Sequence, residues 1–439
     1  ELMEHNSHSN PMLRVMSLRD FRLLFAGSTT SLLGDQFALI ATPWLVLQLT
    51  GDPLALGIVL ALEGLPRAIF MLVGGAVTDR LSPRLVMLTS DVVRLVLTGV
   101  MALAVFSGGV ETWMVYAFSL GFGLVAGFAV PAQNSIVPML VREEDLQGGN
   151  AAIMGVTQLA GFVGPTLAGI VIGAYSESWF GIGLAFAIDA TTFLISAACL
   201  WLMRGGGRKV SSAAGAGGGL WRDVADGIRY LWADGILRLM FLILAAINFL
   251  LVGPLLVGIP VLADQRLPEG AFAFGLLMSA FAAGNLVGYL LAGSLPRPGG
   301  ALMKAILLAL LAAFGVVIGS LGYIPSTWVD FGLLAVLGLG NGYLAIILFT
   351  WFQTRTPKDM LGRMMSILVF ASAGLVPVSQ AISGAVSKWD LDLMFVLAGG
   401  LALLVTLWAA LQPELQAFSD SLAGTSRETG SALPEQRNA

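Results

Sequence analysis

The 439-residue sequence contains few charged residues, a single cysteine and only two histidines. Charged residues make up 11% of the chain, against roughly 25% in ordinary soluble domains. Both histidines, His5 and His8, lie in the polar N-terminal stretch, and Cys199 lies in an apolar run. These shortages exclude a Cys/His metal centre, a Ser-His-Asp triad and an intramolecular disulfide bond. We therefore expect no cofactor and no enzymatic reaction.

Hydrophobic residues are abundant instead: they form 57% of the chain, and the mean hydropathy is +0.85. Apolar runs of about 20 residues, the length of helix that crosses a bilayer, recur along the whole sequence. The alternating pattern of a membrane β-strand is absent from it. The sequence thus predicts an all-α membrane protein with twelve spans, at about 21–49, 54–78, 85–106, 112–137, 150–175, 179–203, 237–262, 272–295, 302–321, 328–352, 362–386 and 391–411.

The polar stretches divide these spans into two groups of six. Residues 204–219 are rich in glycine, serine and alanine, which is typical of a flexible linker. The residues that follow, 220–231, place their apolar side chains on one face, as in an amphipathic helix at a membrane surface. The predicted organisation is a cytoplasmic N-terminal tail (1–20), a first six-helix bundle (21–203), a linker with an amphipathic helix (204–236), a second bundle (237–412) and a disordered C-terminal tail (413–439).

The distribution of basic residues predicts the orientation in the membrane. Of the 23 Lys and Arg residues, 20 fall on the side that holds both termini and the linker. Arg266 and Lys388 fall on the opposite side, and Arg67 lies inside span 2. Because cytoplasmic loops carry the excess of Lys and Arg, both termini are predicted to be cytoplasmic.

The two halves of the chain resemble each other weakly. Arg22–Phe25 aligns with Arg238–Phe241, and Gly169 aligns with Gly384, at a common offset of about 215 to 216 residues. Two parallel six-span repeats are one way in which transporters are built.

A short charged turn joins spans 2 and 3. Its pattern runs from Gly75 through Asp79 and Arg80 to Arg84, and it resembles the signature loop of the major facilitator superfamily. That resemblance implies a loop that locks or releases the two halves on the cytoplasmic side. Asp91 and Arg94 of span 3 and Arg363 of span 11 are predicted to join the same gate network. A turn that only fixes orientation remains the alternative.

Span 5 carries a motif of small residues around one proline: Gly161, Gly164, Pro165 and Gly169. Glycines at these intervals allow close backbone contact, and a proline removes one backbone donor and bends the helix. The pattern resembles the fifth-span signature of drug:proton antiporters. Gly-rich packing faces also occur in many other membrane proteins.

Ionisable residues inside spans are rare, because burying one near the bilayer centre costs roughly 2.5–3.5 kcal/mol even on the mildest scale. Asp35 of span 1 has no cation nearby in sequence, and we predict that it binds a proton or contacts substrate. Glu63 and Arg67 lie four residues apart in span 2 and can neutralise each other. They are therefore as consistent with a structural clamp as with a substrate site. Asp189 of span 6 has hydroxyl neighbours, which favours a structural role.

Five neutral polar residues inside spans are candidates to line a cavity. Each is individually better explained as a packing hydrogen bond between helices. They are Gln158, Asn248, Asn285, Asn341 and Gln380.

Three stretches carry a narrower resemblance: Arg19-Asp20-Phe21-Arg22-Leu23-Leu24-Phe25, Leu33-Gly34-Asp35 and Val130-Pro131-Ala132-Gln133-Asn134. They resemble the drug:proton antiporter-3 family of the major facilitator superfamily, which includes macrolide and enterobactin-type exporters. The resemblance implies two pseudo-symmetric six-helix bundles with alternating access. It also implies proton-driven export of amphipathic small molecules by a monomer in the inner membrane, with the lipid bilayer and protons as partners and no nucleic acid.

Two other functions remain open. Bacterial lysophospholipid flippases share the Gly-Asp of span 1 and the Pro-Ala after span 4, and they move lipid inward instead of pumping drugs out. A membrane receptor or scaffold built on an inactive transporter is the second alternative. A scaffold has no need of acids buried in the membrane, which argues against it.

Overall fold

A computed structural model describes residues 11–176, 178–205, 220–295, 300–357 and 361–419, and in these ranges the chain is helical apart from short turns. The predicted N-terminal tail up to residue 10, residues 206–219 of the linker and the C-terminal tail from residue 420 lie outside the described residues. The helices are α1 (Pro11–Ser17), α2 (Arg19–Thr50), α3 (Pro53–Arg80), α4 (Pro83–Phe106), α5 (Thr112–Leu140), α6 (Leu146–Gly173), α7 (Phe180–Leu202), α8 (Leu220–Ala233), α9 (Gly235–Ile247), α10 (Gly253–Arg266), α11 (Ala271–Ser294), α12 (Gly300–Ser320), α13 (Thr327–Arg355), α14 (Leu361–Trp389) and α15 (Leu391–Ala410).

Eleven membrane spans are found among the described residues by length and composition. One of them combines α9, a short π-helix (Asn248–Val252) and α10 into a single span, Gly235–Arg266. α14 occupies the predicted eleventh span, although the side chains of much of its first half are not described. The predicted all-α membrane fold is confirmed.

Local chemistry explains where these helices begin and end. Gly51 closes α2 in the left-handed conformation (φ 59°), and its amide donates to the Leu47 carbonyl. Asp234 and Asp390 cap the starts of α9 and α15, because their carboxylates accept from the free amides of the first turn. The helix boundaries therefore follow turn and cap residues that the sequence shows directly.

The described residues form two compact units. Unit 1 takes its residues from 1–215, 257–279 and 380–389. Its interior contains an aromatic column in which Phe118 meets Phe186 and Phe122 meets Phe193, with ring centroids 5.6 and 6.1 Å apart. α3 and α5 cross closely, since a Cβ at Gly123 would lie 2.8 Å from the Glu63 Cα atom.

Unit 2 takes its residues from 216–256, 280–379 and 390–439. Its helices also cross at glycines: α12 and α15 meet at Gly315 and Gly399, where a Cβ on Gly399 would lie 2.8 Å from the Gly319 Cα atom. Close backbone contact of this kind is how helices associate where no water drives them together.

The π-helix in unit 2 lies where the hydrogen-bond ladder of the span is weakened. Pro254 has no N–H group, so the carbonyl four residues before it loses its usual donor. The Phe249 carbonyl accepts from the Ser379 hydroxyl of α14, and Gly253 leaves the space that this contact needs. π-helical turns are often found at functional positions.

The predicted disorder of the C-terminal tail is wrong for its first residues. Residues 413–419 are helical, and Leu415 and Phe418 are buried. The Phe418 ring lies 5.0 Å from the ring of Trp351, edge to face. Burial of these two apolar side chains orders a stretch that looks polar by composition.

Candidate functional site

Asp35 and Asp189 lie together in the interior of unit 1, on α2 and α7. Asp189 is fully buried, and a Cβ added at Gly34 would lie 2.6 Å from its Oδ1 atom. Glycine next to Asp35 is thus what lets the Asp189 carboxyl approach the α2 backbone. Asp35 is half-buried, and its Oδ1 atom is buried without a hydrogen-bond partner among the described residues. The two acids interact electrostatically.

Arg94 of α4 is the buried cation of this cluster, with 4% of its surface exposed. Its guanidinium carbon lies 5.1 Å from the centre of the Phe122 ring and 5.4 Å from that of Phe193. Two aromatic faces attract a cation and also exclude water from it. Arg94 interacts electrostatically with both Asp35 and Asp189.

Asp91 lies one turn before Arg94 and is also buried. Its Oδ2 atom accepts a 2.6 Å hydrogen bond from the Ser196 hydroxyl of α7. The prediction that Asp91 and Arg94 belong to the cytoplasmic gate stays a prediction, because the side chains of Asp79, Arg80 and Arg363 are not described. The described contacts of Asp91 and Arg94 are with the interior cluster, because they point from α4 towards α2 and α7.

Glu63 and Arg67 form an ion pair within α3, as their spacing predicts. Their closest charged atoms are 3.9 Å apart, and 28% and 46% of the two side chains are exposed. Both also act electrostatically on the buried cluster, since Arg67 interacts with Asp35 and Asp35 interacts with Glu63. The pair therefore forms the accessible edge of a site whose deeper part holds Asp35, Arg94 and Asp189.

The glycines of the α6 motif have different surroundings. A Cβ at Gly169 would lie 2.8 Å from the Ala271 carbonyl oxygen of α11, and one at Gly275 would lie 3.0 Å from the Pro165 carbonyl carbon. Gly164 accommodates the side chain of Gln36, whereas Gly161 faces open space. The motif thus supports a backbone crossing of α6 with α11 at Pro165 and Gly169.

A second crossing in unit 1 joins α3 with the end of α14. A Cβ on Gly57 would lie 3.0 Å from the Gly384 Cα atom. Next to it Lys388 Nζ donates to Asp52 Oδ2 at 2.7 Å. We call the membrane face that holds Asp52 and Lys388 the Asp52 face.

The internal repeat relates the two crossings to each other. Gly169 of the first and Gly384 of the second are the glycines that align between the two halves of the sequence. Both crossings lie in unit 1.

The predicted cytoplasmic gate is described only in part. Arg84 donates from Nε to the Leu200 carbonyl at 2.7 Å and from Nη2 to the Trp201 carbonyl at 2.8 Å. A cation at these carbonyls is favourable, because the end of α7 carries partial negative charge. The side chains of Asp79, Arg80 and Arg363, and the surroundings of Gly75, lie outside the described residues.

The neutral polar residues separate into different roles. Asn341 Nδ2 donates to Asn285 Oδ1 at 2.9 Å, which joins α13 to α11 inside unit 2. Asn248 donates to the Leu244 carbonyl of its own helix. Gln380 is buried at the α3–α14 crossing, and Gln158 is half-buried on α6. Asn285 and Asn341 thus join two helices, whereas the described bond of Asn248 stays within its own span.

The aromatic contacts of Arg94, the Ser196 hydrogen bond and the Lys388 ion pair were not predicted. The first two had a signal in the sequence, since Asp91, Arg94 and Thr98 share one face of α4 and Asp189, Phe193 and Ser196 share one face of α7. The third had none, because Asp52 and Lys388 are 336 residues apart.

Comparison with known proteins agrees with this architecture. Residues 24–380 match the family model described as Major Facilitator Superfamily. The chain is 25% identical over 377 residues to the multidrug efflux pump Tap of Mycobacterium tuberculosis, covering 83% of this chain and 86% of that protein. It is 22% identical over 394 residues to macrolide efflux protein A of Streptococcus pyogenes, covering 88% and 94%. The solved structure of a mutant of the nucleoside transporter NupG has the same fold, with a TM-score of 0.69 at 12% identity, covering 89% of this chain and 98% of that one.

Proposed function

The chain belongs to the major facilitator superfamily and is a transporter, and on that premise we propose that it exports amphipathic drug-like molecules in exchange for protons. The observation that carries the proposal is the cluster of Asp35, Asp189 and Arg94 buried inside the spans. Buried ionisable groups are costly in a membrane and mark ion or proton pathways. The named activities of the similar pumps, multidrug and macrolide efflux, supply the substrate class.

Asp35 is the group that exchanges its proton in this proposal. It is half-buried, and the partly exposed Glu63–Arg67 pair lies at the accessible edge of the same cluster. When Asp35 is protonated it is neutral, so the state in which it is shielded from water becomes less costly. When its O–H bond ionises, the proton passes to water and the negative charge favours the open, hydrated state.

The protein is proposed to work as a monomer in the plasma membrane with both termini in the cytoplasm. The Asp52 face then lies outside, because the few basic residues of the outer loops are on that side. Alternating access requires the α6–α11 and α3–α14 crossings on that face to separate when substrate leaves.

The α6 motif provides a matched test of this role. Gly169→Ala should impair transport and lower thermal stability, because the added methyl group meets the Ala271 carbonyl of α11. Gly161→Ala should leave transport unchanged, since nothing lies within 4 Å of its added carbon. Alanine should also favour the helix at position 161 by about 1 kcal/mol. Equal effects of the two variants on export would contradict the proposed crossing.

The substrate class is tested with purified protein in acid-loaded proteoliposomes that contain a pH dye. Macrolides, siderophores and lysophospholipids are added in turn. Proton release triggered by a macrolide or a siderophore, and absent in Asp35→Asn, supports antiport and identifies the class. Movement of labelled lysophospholipid between leaflets without a proton signal would overturn the proposal in favour of a flippase.

A further inference from the structure

Among the acids of the cluster, Asp189 has the fewest hydrogen-bond partners for its carboxyl group. It is 0% exposed, and neither carboxyl oxygen has a hydrogen-bond partner among the described residues. The Thr192 hydroxyl lies close enough to interact with the carboxyl, but its single proton is donated to the Asp189 backbone carbonyl at 2.7 Å. An ionised carboxylate without donors in a dry interior costs several kcal/mol. This environment therefore favours the neutral acid.

The charges around Asp189 leave it without a cation of its own. Among the described residues, the ionisable side chains that face the cluster come from α3 and α4. Asp91 balances Arg94 on α4, and Glu63 balances Arg67 on α3. The sequences of α5 and α6 contain no Asp, Glu, Lys or Arg. Asp35 and Asp189 thus remain as two acids without a further positive charge, and like charges in one site oppose each other.

We propose that Asp189 is a second proton-binding carboxyl, which keeps its proton when Asp35 releases one, so that the pair never carries more than one negative charge. Asp35 is half-buried and exchanges its proton with water, whereas the fully buried Asp189 retains its O–H bond. Asp189 is a positioning residue: it sets the proton affinity of Asp35 without touching substrate. The inference rests on the proposed function only in giving Asp35 the exchangeable proton.

Infrared spectroscopy of the purified full-length protein tests this directly, because a protonated carboxyl has its own carbonyl stretching band. At pH 7.5 to 8 the wild type should show this band, and Asp189→Asn should remove it. In Asp35→Asn the band should remain, but it should disappear at a lower pH than in the wild type, since the Asp35 charge no longer opposes ionisation of Asp189. An unchanged band in Asp189→Asn, or an unchanged pH dependence in Asp35→Asn, would overturn the proposal.

Asp145→Asn is the matched control, because Asp145 is also buried but is paired with Arg14, so its removal frees no cation next to Asp189. It should leave the band in place. If Asp189→Asn does not fold, Asp189→Glu keeps an acid at this position and should move the band to a different frequency. A band of unchanged frequency in Asp189→Glu would contradict the proposal. Transport that proves independent of protons would refute the proposed function but would not alter the band, so the two failures are distinguishable.

Discussion

The six N-terminal and the six C-terminal spans bury different kinds of polar group. The first half holds Asp35, Asp91, Arg94 and Asp189 within its helices. In the last six predicted spans, every Asp, Glu, Lys and Arg lies within the first three residues of its span. One side-chain contact between helices of unit 2 is the bond between Asn285 and Asn341, neither of which can titrate.

Under the proposed function, this difference gives the two halves of the chain different tasks. A neutral amide pair holds helices together at every pH, whereas buried acids respond to protons. The cost of charge inside a membrane is the same in both halves. We therefore place the proton chemistry in the first half and expect the second half to contribute packing and substrate contacts.

The largest expected effect comes from removing the exchangeable acid. Asp35→Asn should reduce transport driven by a pH gradient to the level of empty vesicles, because its amide cannot release a proton. Exchange of labelled for unlabelled substrate without a gradient should persist, since the fold is unchanged. Labelled macrolide uptake into proteoliposomes measures both. If transport by Asp35→Asn still depends fully on the pH gradient, Asp35 does not carry the exchangeable proton, and the proposed difference between the two halves fails.

Removing the buried cation, Arg94, should have the second largest effect, which is a loss of stability. Arg94→Met should destabilise the protein by about 3–5 kcal/mol, because it leaves Asp91 buried without a counter-charge. Thermal unfolding in detergent measures the loss, which should shrink as the pH is lowered and Asp91 becomes protonated. Arg67→Met is the control: its side chain is 46% exposed, so about 1 kcal/mol or less is expected. Equal losses in the two variants would remove the distinction between the buried and the accessible cation.

The amide pair of unit 2 should give a smaller effect with no pH dependence. Asn341→Ala removes the hydrogen bond to Asn285 and should cost about 1 kcal/mol. Thermal unfolding at pH 5 and pH 8 should show the same loss, because neither amide changes protonation. Transport driven by a pH gradient should remain. A strong pH dependence would mean that the second half also takes part in proton binding.

The smallest loss of stability is expected when the Asp52–Lys388 ion pair of the Asp52 face is removed. Partial burial opposes ionisation of Asp52, but hydrogen bonds from Lys388 and the Leu54 amide outweigh it and lower its pKa below the ordinary 3.8. A lowered pKa stabilises the folded state above that ordinary value, and the contribution is lost only as the pH falls through the lower value. Lys388→Met should thus cost about 0.2–1 kcal/mol, equally at pH 5 and pH 8. A cost that changes between these two pH values would contradict the lowered pKa.

The sequence predicted the membrane-spanning helices and the family, because these depend on local composition and on short motifs. The shared face of Asp91 and Arg94 on α4 could have indicated their contacts with α7, whereas their part in the cytoplasmic gate stays a prediction. The Asp52–Lys388 pair could not be predicted, because it joins distant residues through the fold. The ordered residues 413–419 were missed for the same reason: Phe418 packs against Trp351, which is distant in sequence.

Proton release on substrate binding tests the division between the two halves most directly. Purified protein in weakly buffered detergent solution is mixed with a macrolide, and the pH change is recorded together with binding. The wild type and the double variant of Asn285→Ala and Asn341→Ala should both release protons, whereas Asp35→Asn should bind the macrolide and release none. Release that persists in Asp35→Asn, or that disappears in an amide variant that still binds, would contradict the account.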